Sequence, residues 1–382
     1  MVDDRKIPEG YKATDLGIIP SDWEVAEVKE AYGIYNNLRL PISGKIRETM
    51  QGKYPYYGPT GIQDYINEYR IDGEYSLIGE DGDHFLKWRN MPMTLLVTGK
   101  FNVNNHAHVI KGLKNQTEWF YWYFYHRDIT AHLSRQGAGR YKLNKRTLET
   151  LKMTIPSLPE QKAISETLMD SDKLILSCEK LINKKKKIKQ GAMQQLLTGK
   201  KRLPGFSEQW EIKKLGDIVS INKGQLITEK DAQDGTIPVI AGGKKPAYYH
   251  SFPNRQGKTI TISASGANAG YVGFYTEPIF ASDCSTIGEN NGYSIEFIYY
   301  QLSMLQENIY YAQTGGAQPH IHPKDLKPLL INYTNLKEQK AIAQVLSDMD
   351  TEIEALEEKL EKYKTIKQGM MQELLTGRIR LI

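Results

Sequence analysis

The sequence predicts an α+β protein: two mixed α/β domains separated by two long helices, with the helices packed on each other as an antiparallel coiled-coil spacer and the whole arranged in pseudo-twofold, circular order. Three observations lead there. At 382 residues the chain exceeds a single core, since a domain takes roughly 100 to 200. Glu160 to Leu203 aligns without a gap to Glu338 to Leu381 at a constant offset of 178, with 24 identities in 44 pairs, including EQKAI, IKQG and LLTG as unbroken blocks; this is an internal duplication. Both copies also carry apolar residues at heptad spacing.

Taken in order, residues 1–157 form the first domain, 158–200 the first spacer helix, 201–335 the second domain and 336–382 the second spacer helix. The repeat continues weakly upstream at the same offset, with Leu143 meeting Ile321 and Leu148 meeting Leu326. Trp23-Glu24-Val25 resembles Trp210-Glu211-Ile212, and Tyr54-Pro55 resembles Ile237-Pro238, at shifted offsets that imply insertions. One helical segment ends in TGKKRLPGF and runs into the second domain, and the other ends in TGRIRLI. The order is therefore circular, and the two termini are expected near each other.

The seam of the first helix runs through Ile164, Leu168, Ile175, Cys178 and Ile182, with Ser171, Lys185 and Lys189 intruding. In the second it runs through Ile342, Leu346, Ile353, Leu356 and Leu360, interrupted at Lys367. Thr198-Gly199 and Thr376-Gly377 supply helix stops. Gly191 and Gly369 inside the pattern predict a kink or a close helix crossing. In an antiparallel pair the block Lys184 to Lys189 would face Asp350, Glu352 and Glu354, and that charge match selects the antiparallel orientation. The alternative for the lysine run is a plain solvated face.

Composition narrows the chemistry. Fifty Lys and Arg against 45 Asp and Glu give a net charge of +5, which permits a polyanionic partner without demanding one. Charge is uneven: Leu158 to Leu203 carries +6 and Leu336 to Ile382 carries −1. Two cysteines, Cys178 and Cys284, make neither a disulfide framework nor a four-thiolate zinc site, which fits a cytoplasmic setting. No stretch reaches the roughly 18 apolar residues of a membrane span, so no membrane partner is expected. We find no G-x-x-x-x-G-K-[ST] loop, no H-E-x-x-H and no Asn- or Asp-Pro-Pro-aromatic motif. The chain is expected to be a non-catalytic subunit, with no metal site and no cofactor of its own.

The domains read as mixtures of short strands, such as Tyr75 to Ile78, Thr94 to Val97 and Thr259 to Ile262. Each closes with a helix, expected over Thr117 to Leu133 in the first and Ser294 to Tyr311 in the second. The seven aromatics Trp119 to Tyr125 cannot share one face of a helix and are expected in the core. A polar, glycine-containing segment follows each helix: Ser134 to Lys142 and Gln313 to His322.

Related domains carried on antiparallel helices have the geometry of a ruler, and a duplex repeats every roughly 34 to 36 Å. Double-stranded DNA is thus the expected partner, with the two domains reading different half-sites. Candidate contacts are Arg135, Gln136, Arg140, Tyr141 and Lys142 in the first segment and Gln313, Gln318, His320 and His322 in the second, because glycine allows close backbone approach and Arg, Gln and His bond base edges or phosphates. The competing reading is a connection folded onto the helices. Lys87 and Arg89, and Lys244, Lys245, Arg255 and Lys258, are further basic candidates, equally readable as solvated surface. Asn102, Asn104, Asn105, His106 and His108 could read bases, bind metal or simply face solvent.

The EQKAI opening, the IKQGxMQxLLTG close and the duplicated domain-helix plan resemble the specificity subunit of Type I restriction–modification systems. That resemblance covers essentially the whole chain. It implies two target recognition domains, each reading half of a bipartite asymmetric site, and two methyltransferase subunits docked on the paired helices. It implies restriction subunits that add ATP-dependent translocation and cleavage. S-adenosylmethionine would then belong to the methyltransferase subunit, and ATP with Mg to the restriction subunit. The alternatives are a DNA-recognition subunit of another restriction–modification type and a non-catalytic interaction scaffold.

Overall fold

The computed structural model describes residues 7–136, 140–315 and 318–382. The chain divides into two compact units: the residues up to Ser177 together with Leu360–Ile382, and Cys178–Lys359. The division falls inside both long helices rather than at their starts, so each unit takes half of each helix.

In the first unit, a four-stranded antiparallel sheet is ordered Tyr32–Ile34, Ala107–Gly112, Tyr75–Gly79, Thr94–Val97. Every residue of its central strand Tyr75–Gly79 is buried, which alternation of side chains explains. Ile78 and Ile110 enter the core beneath the helix Thr117–Phe124, whereas Tyr75, Leu77 and Val109 enter a second core. That second core also holds Phe101 and Val103, from a sheet ordered Ile62–Ile66, Gln51–Tyr57, Lys100–Val103, Ile71–Asp72. Within it Lys100–Val103 runs parallel to Gln51–Tyr57.

The second unit repeats the plan. Its sheet is ordered Asn222–Lys223, Cys284–Gly288, Thr259–Ser263, Val272–Tyr275. A three-stranded sheet follows, ordered Tyr248–His250, Ile237–Ile240, Phe280–Ala281, again with one parallel pair.

The aromatic helix is shorter than expected, spanning Thr117–Phe124, and it buries Trp119, Phe120, Trp122, Tyr123 and Phe124. Trp119 meets Trp23 edge to face at 5.7 Å. Core packing, not base stacking, is what these rings do. The corresponding helix of the second unit breaks at Leu305 into Ile295–Met304 and Gln306–Tyr311.

The two long helices span Leu158–Leu196 and Leu336–Leu374 and run antiparallel. In the first unit Ile164 and Leu168 share a core with Met371 and Leu374. In the second Ile342 and Leu346 share one with Leu196, and Ile182 and Ile353 are buried. Ile175, Leu356 and Leu360 are only half-buried. The lysines that interrupt the seam are paired ions. Lys185 Nζ lies 2.6 Å from Glu352 and Lys186 Nζ 2.6 Å from Glu357, while Lys189 pairs with Asp350. Lys367 Nζ lies 2.6 Å from Asp172 and 5.0 Å over the Trp122 ring.

The close crossing expected at Gly191 and Gly369 is absent. Both helices continue through these residues, and a Cβ at either would meet nothing within 4 Å.

The EQKAI motif is the joint between helix and domain. Glu160 and Gln161 are fully buried, as are Glu338 and Gln339. Glu160 accepts from Trp23 Nε1 at 2.9 Å and from Arg380 at 2.5 and 2.8 Å. Glu338 accepts from Trp210 Nε1 at 3.1 Å and from Arg202 at 2.6 and 2.7 Å. Gln161 Oε1 accepts from Gln116 N, and Gln339 Oε1 from Ser294 N, each at 3.0 Å and each at the residue that caps a domain helix. The circular order has a physical basis here: Arg380, at the end of the second helical segment, completes the first unit, where Tyr11 also donates to Gly377 O at 2.9 Å.

Candidate nucleic-acid interface

The segment Ser134 to Lys142 forms a two-stranded hairpin, with Arg135 opposite Tyr141 and Gln136 opposite Arg140. Its tip, residues 137–139, and the Gln136 side chain lie outside the described residues, as do residues 316–317 of the second segment. The hairpin attaches to the stretch just after the central strand Tyr75–Gly79. Leu143 N donates to Glu80 O at 2.7 Å and Gly82 N to Tyr141 O at 3.0 Å.

The second unit uses the same attachment. Thr314 and His320 exchange main-chain hydrogen bonds, Ile321 N donates to Ala264 O at 2.9 Å and Gly266 N donates to Pro319 O at 3.1 Å. Leu143 and Ile321, like Tyr141 and Pro319, stand at the repeat offset of 178. Gly82 and Gly266 both hold positive φ, 134° and 78°, a conformation that L side chains rarely adopt. Gly266 is thus part of an anchor. Its partner at Gly82 was hidden in the sequence because the two glycines differ by 184, not 178.

On this shared frame the side chains differ. In the first unit Arg140 is exposed, and the exposed Arg135 guanidinium lies 4.9 Å over the Tyr141 ring and donates to its hydroxyl at 2.6 Å. Lys142 Nζ lies 3.5 Å from Glu80, which also takes Arg39 at 2.5 Å. Lys87 ends the short helix Asp83–Lys87, and Arg89 lies exposed with its guanidinium 4.9 Å over Trp88. In the second unit Gln318 is exposed, Gln313 Nε2 donates to Ala269 O at 2.7 Å, and the His320 and His322 rings stack at 6.3 Å. His322 also precedes the helix Pro323–Leu326, its N–H donating to Asp325 at 2.9 Å. Lys244 and Lys245 lie exposed on a neighbouring loop, Lys244 Nζ 5.4 Å over the Tyr271 ring. A Cβ at Gly242 would come within 2.8 Å of Ser265 O, so this loop abuts the hairpin anchor.

Other candidates are engaged inside the protein. All three Arg255 nitrogens donate within the chain, to Thr286 Oγ1, Asn254 O and Lys223 O at 2.8 to 2.9 Å. Lys258 Nζ pairs with Glu296 at 2.5 Å. Asn102 and Asn104 donate to Glu68 O and Gln63 Oε1. His108 is buried, accepting from Asn36 at Nδ1 and donating from Nε2 to Leu143 O at 2.7 Å, and burial holds its pKa below the ordinary imidazole value. His106 Nδ1 lies 2.8 Å from Asp81. Of these groups, His108 and His106 bond to the hairpin anchor region, at Leu143 O and Asp81. Among the described residues no cluster of metal-ligating side chains occurs and no helix is long and apolar enough to cross a membrane. Burial pushes the Cys284 thiol up to about 12, which keeps it protonated at neutral pH. A groove of about 940 Å³ is lined by Lys258, Glu296, Lys340 and Gln344 among others and shares no residue with the hairpin.

Comparison with known proteins agrees with this duplicated plan. A family model described as the Type I restriction modification DNA specificity domain matches residues 20–190 and again 207–365. A putative type I restriction enzyme specificity subunit of Haemophilus influenzae is 27% identical over 361 residues, 87% of this chain and 88% of that one. The putative MjaX specificity subunit of Methanocaldococcus jannaschii is 27% identical over 418 residues, 98% of this chain and 97% of that one. In fold, the chain is similar to the crystal structure of a Type I restriction–modification S subunit from M. genitalium, with a TM-score of 0.70 at 16% identity, covering 92% and 96% of the two chains.

Proposed function

The chain belongs to the Type I restriction–modification DNA specificity family, and from that premise we propose that it is the DNA-recognition subunit of such a complex, its two units each reading one half of a bipartite, asymmetric site. The observation that carries this reading is the repeated hairpin anchor. Glu80 O with Gly82 N, and Ala264 O with Gly266 N, hold two hairpins by the same main-chain bonds, while the exposed side chains are Arg135 and Arg140 on one and Gln318 on the other. One frame with two chemistries suits two unlike half-sites, since arginine favours guanine edges or phosphates and glutamine favours adenine.

In this reading the long helices dock two methyltransferase subunits, which bring S-adenosylmethionine, and restriction subunits bring ATP and Mg. This chain supplies recognition and spacing. Of the sequence-derived candidates, Arg135, Arg140, Tyr141, Lys142, Gln318, His320, Lys244 and Lys245 form the proposed contact set. Arg255 and Lys258 are assigned to holding the second unit together.

Methylome sequencing of the source cells, with and without this gene, tests the proposal. A bipartite motif with an unspecified spacer that disappears with the gene supports it. A contiguous palindrome would overturn the two-half reading, and failure of the assembled complex to retard a random duplex library would favour an interaction scaffold.

A further inference from the structure

The second sheet of the first unit carries a group of cations and tyrosines on its two inner strands and the loop between Ile66 and Ile71, apart from the hairpin. Lys53 Nζ lies 5.3 Å over the Tyr54 ring, the Tyr54 and Tyr69 rings are 5.0 Å apart, and Lys100 Nζ lies 4.5 Å over Tyr69. Arg70, next in sequence to Tyr69, is exposed, and its guanidinium is fixed by donating to Arg39 O and Asn37 O at 3.1 Å each. Tyr65 and Tyr69 remain 48% and 41% exposed. Lys100 is level with Tyr54 in the parallel ladder, because Asn102 pairs with Tyr56 and Val103 with Tyr57.

Position relates this strip to the hairpin. The strand Gln51–Tyr57 carries Tyr54 at its middle and leads at its end into Gly58 and Pro59. Pro59 Cβ lies 3.2 Å from where a Cβ on Gly79 would stand, and Gly79 immediately precedes the anchor residue Glu80. Tyr54 and Tyr57 are three residues apart, about 10 Å at strand rise. Each strand of a duplex presents a phosphate about every 3.4 Å along the axis, so the stretch from Tyr54 to Tyr57 alone spans roughly three base steps.

Chemistry identifies what the strip fits. Lysines resting on tyrosine faces and an arginine tied to two carbonyls are held in place before any ligand arrives, which lowers the ordering cost of meeting a fixed anion. Tyrosine hydroxyls add donors suited to phosphate oxygens. The spacing is linear rather than pocket-like, which suits a polyphosphate backbone better than a single ion. The matching strand of the second unit, Ile237–Ile240, carries neither lysine nor tyrosine. Asp72 stands across the ladder from Lys100 and works against the strip.

We infer that Lys53, Arg70 and Lys100, set around the Tyr54–Tyr69 pair, form a backbone-contact strip that grips duplex flanking the bases read by the Ser134 to Lys142 hairpin. This rests on the DNA-recognition reading above. It gives the first unit a sequence-independent hold that the second lacks on the corresponding strand.

The test uses the full chain in its assembled complex, with a duplex carrying the methylome-derived target between flanks of about one helical turn, and a second duplex trimmed to the site. The paired substitution Lys53→Gln with Lys100→Gln is expected to lower the slope of log affinity against log salt by about 2 on the flanked duplex, at roughly 0.9 per phosphate contact. It is expected to change the slope less on the trimmed one and to leave the preference for target over scrambled sequence unchanged. Asp72→Asn is expected to strengthen binding. An unchanged slope on the flanked duplex, or a loss of target preference, would overturn the inference. A wild-type complex with no preference for any sequence would instead defeat the recognition reading, so the two failures are separable.

Discussion

The Arg380 guanidinium donates to both carboxylate oxygens of Glu160, at 2.5 and 2.8 Å, across 220 residues of chain. Glu160 is fully buried and its other close donor is Trp23 Nε1, so the pair fixes the start of one helix, the domain that precedes it and the segment that follows the other helix. Arg380→Ala leaves a buried carboxylate short of its counter-charge, and breaking such a pair costs about 3 to 5 kcal/mol. Because Arg380 is partly exposed, we expect the lower end of that range, measured by urea denaturation. Arg202→Ala should act similarly through Glu338. A loss below about 1 kcal/mol in both would contradict the joint.

Acid should loosen the second joint in a defined way. Burial raises the pKa of Glu338, but donation from Arg202, Thr334 and Trp210 outweighs it and leaves the pKa below the ordinary value of 4.5. A carboxyl depressed in the folded state stabilises fully above its unfolded pKa and loses that contribution as pH falls through the folded one. Thermal stability of the wild type should therefore drop below about pH 4.5. Glu338→Gln should be less stable at neutral pH and show a shallower acid loss.

Two helix glycines offer the opposite sign. Gly191 and Gly369 sit within continuous helix with open space where a Cβ would go. Replacing either by alanine should stabilise by about 0.5 to 1 kcal/mol through helix propensity and unfolded-state entropy. A destabilisation on thermal melting would show that a bound partner or a bend needs the glycine.

The lysines of the helix seam should couple to their acidic partners. Lys189 pairs with Asp350, which also accepts from the Tyr300 hydroxyl at 2.8 Å. Lys189→Glu should destabilise, and adding Asp350→Lys should recover part of the loss, with a coupling energy of about 0.5 to 1 kcal/mol in a double-mutant cycle. Strict additivity would remove the pair as an orienting contact.

Hairpin contacts should separate by type. Arg140→Ala is expected to weaken DNA binding and reduce the salt slope by about 1 if it meets a phosphate, or to relax one base position by about 1 to 3 kcal/mol if it meets guanine. Either change should be confined to one half-site. Gln318→Ala should act on the other half. An effect of either on both halves, or none, would reject the assignment.

Much of this molecule was legible because the duplication is long and its period constant. The helix spans, their antiparallel match of Lys185 and Lys189 to Glu352 and Asp350, and the core role of Trp119 to Phe124 all follow from spacing and charge. What spacing could not convey was closure through space. Nothing in the spacing of the EQKAI motif says that Glu160 and Gln161 are buried against Trp23, Arg380 and Gln116. The Lys53–Tyr54–Tyr69–Lys100 strip was invisible for the same reason, since its members come from three separate segments. Gly191 and Gly369 misled because a glycine signals freedom without saying whether the fold uses it. Arg255 looked like any exposed cation, and only its three internal acceptors mark it as a brace.

Side chains add the Lys142–Glu80 and Gln313–Ala269 links, but the bonds the two hairpins share run from amide to carbonyl, at Glu80 and Gly82 on one side and Ala264 and Gly266 on the other. Apart from the glycine at each turn, such a fastening is indifferent to which residues the hairpin carries. The exposed positions Arg135, Arg140 and Gln318 are consequently expected to accept rewriting without weakening the scaffold, whereas the buried Ile321 is not.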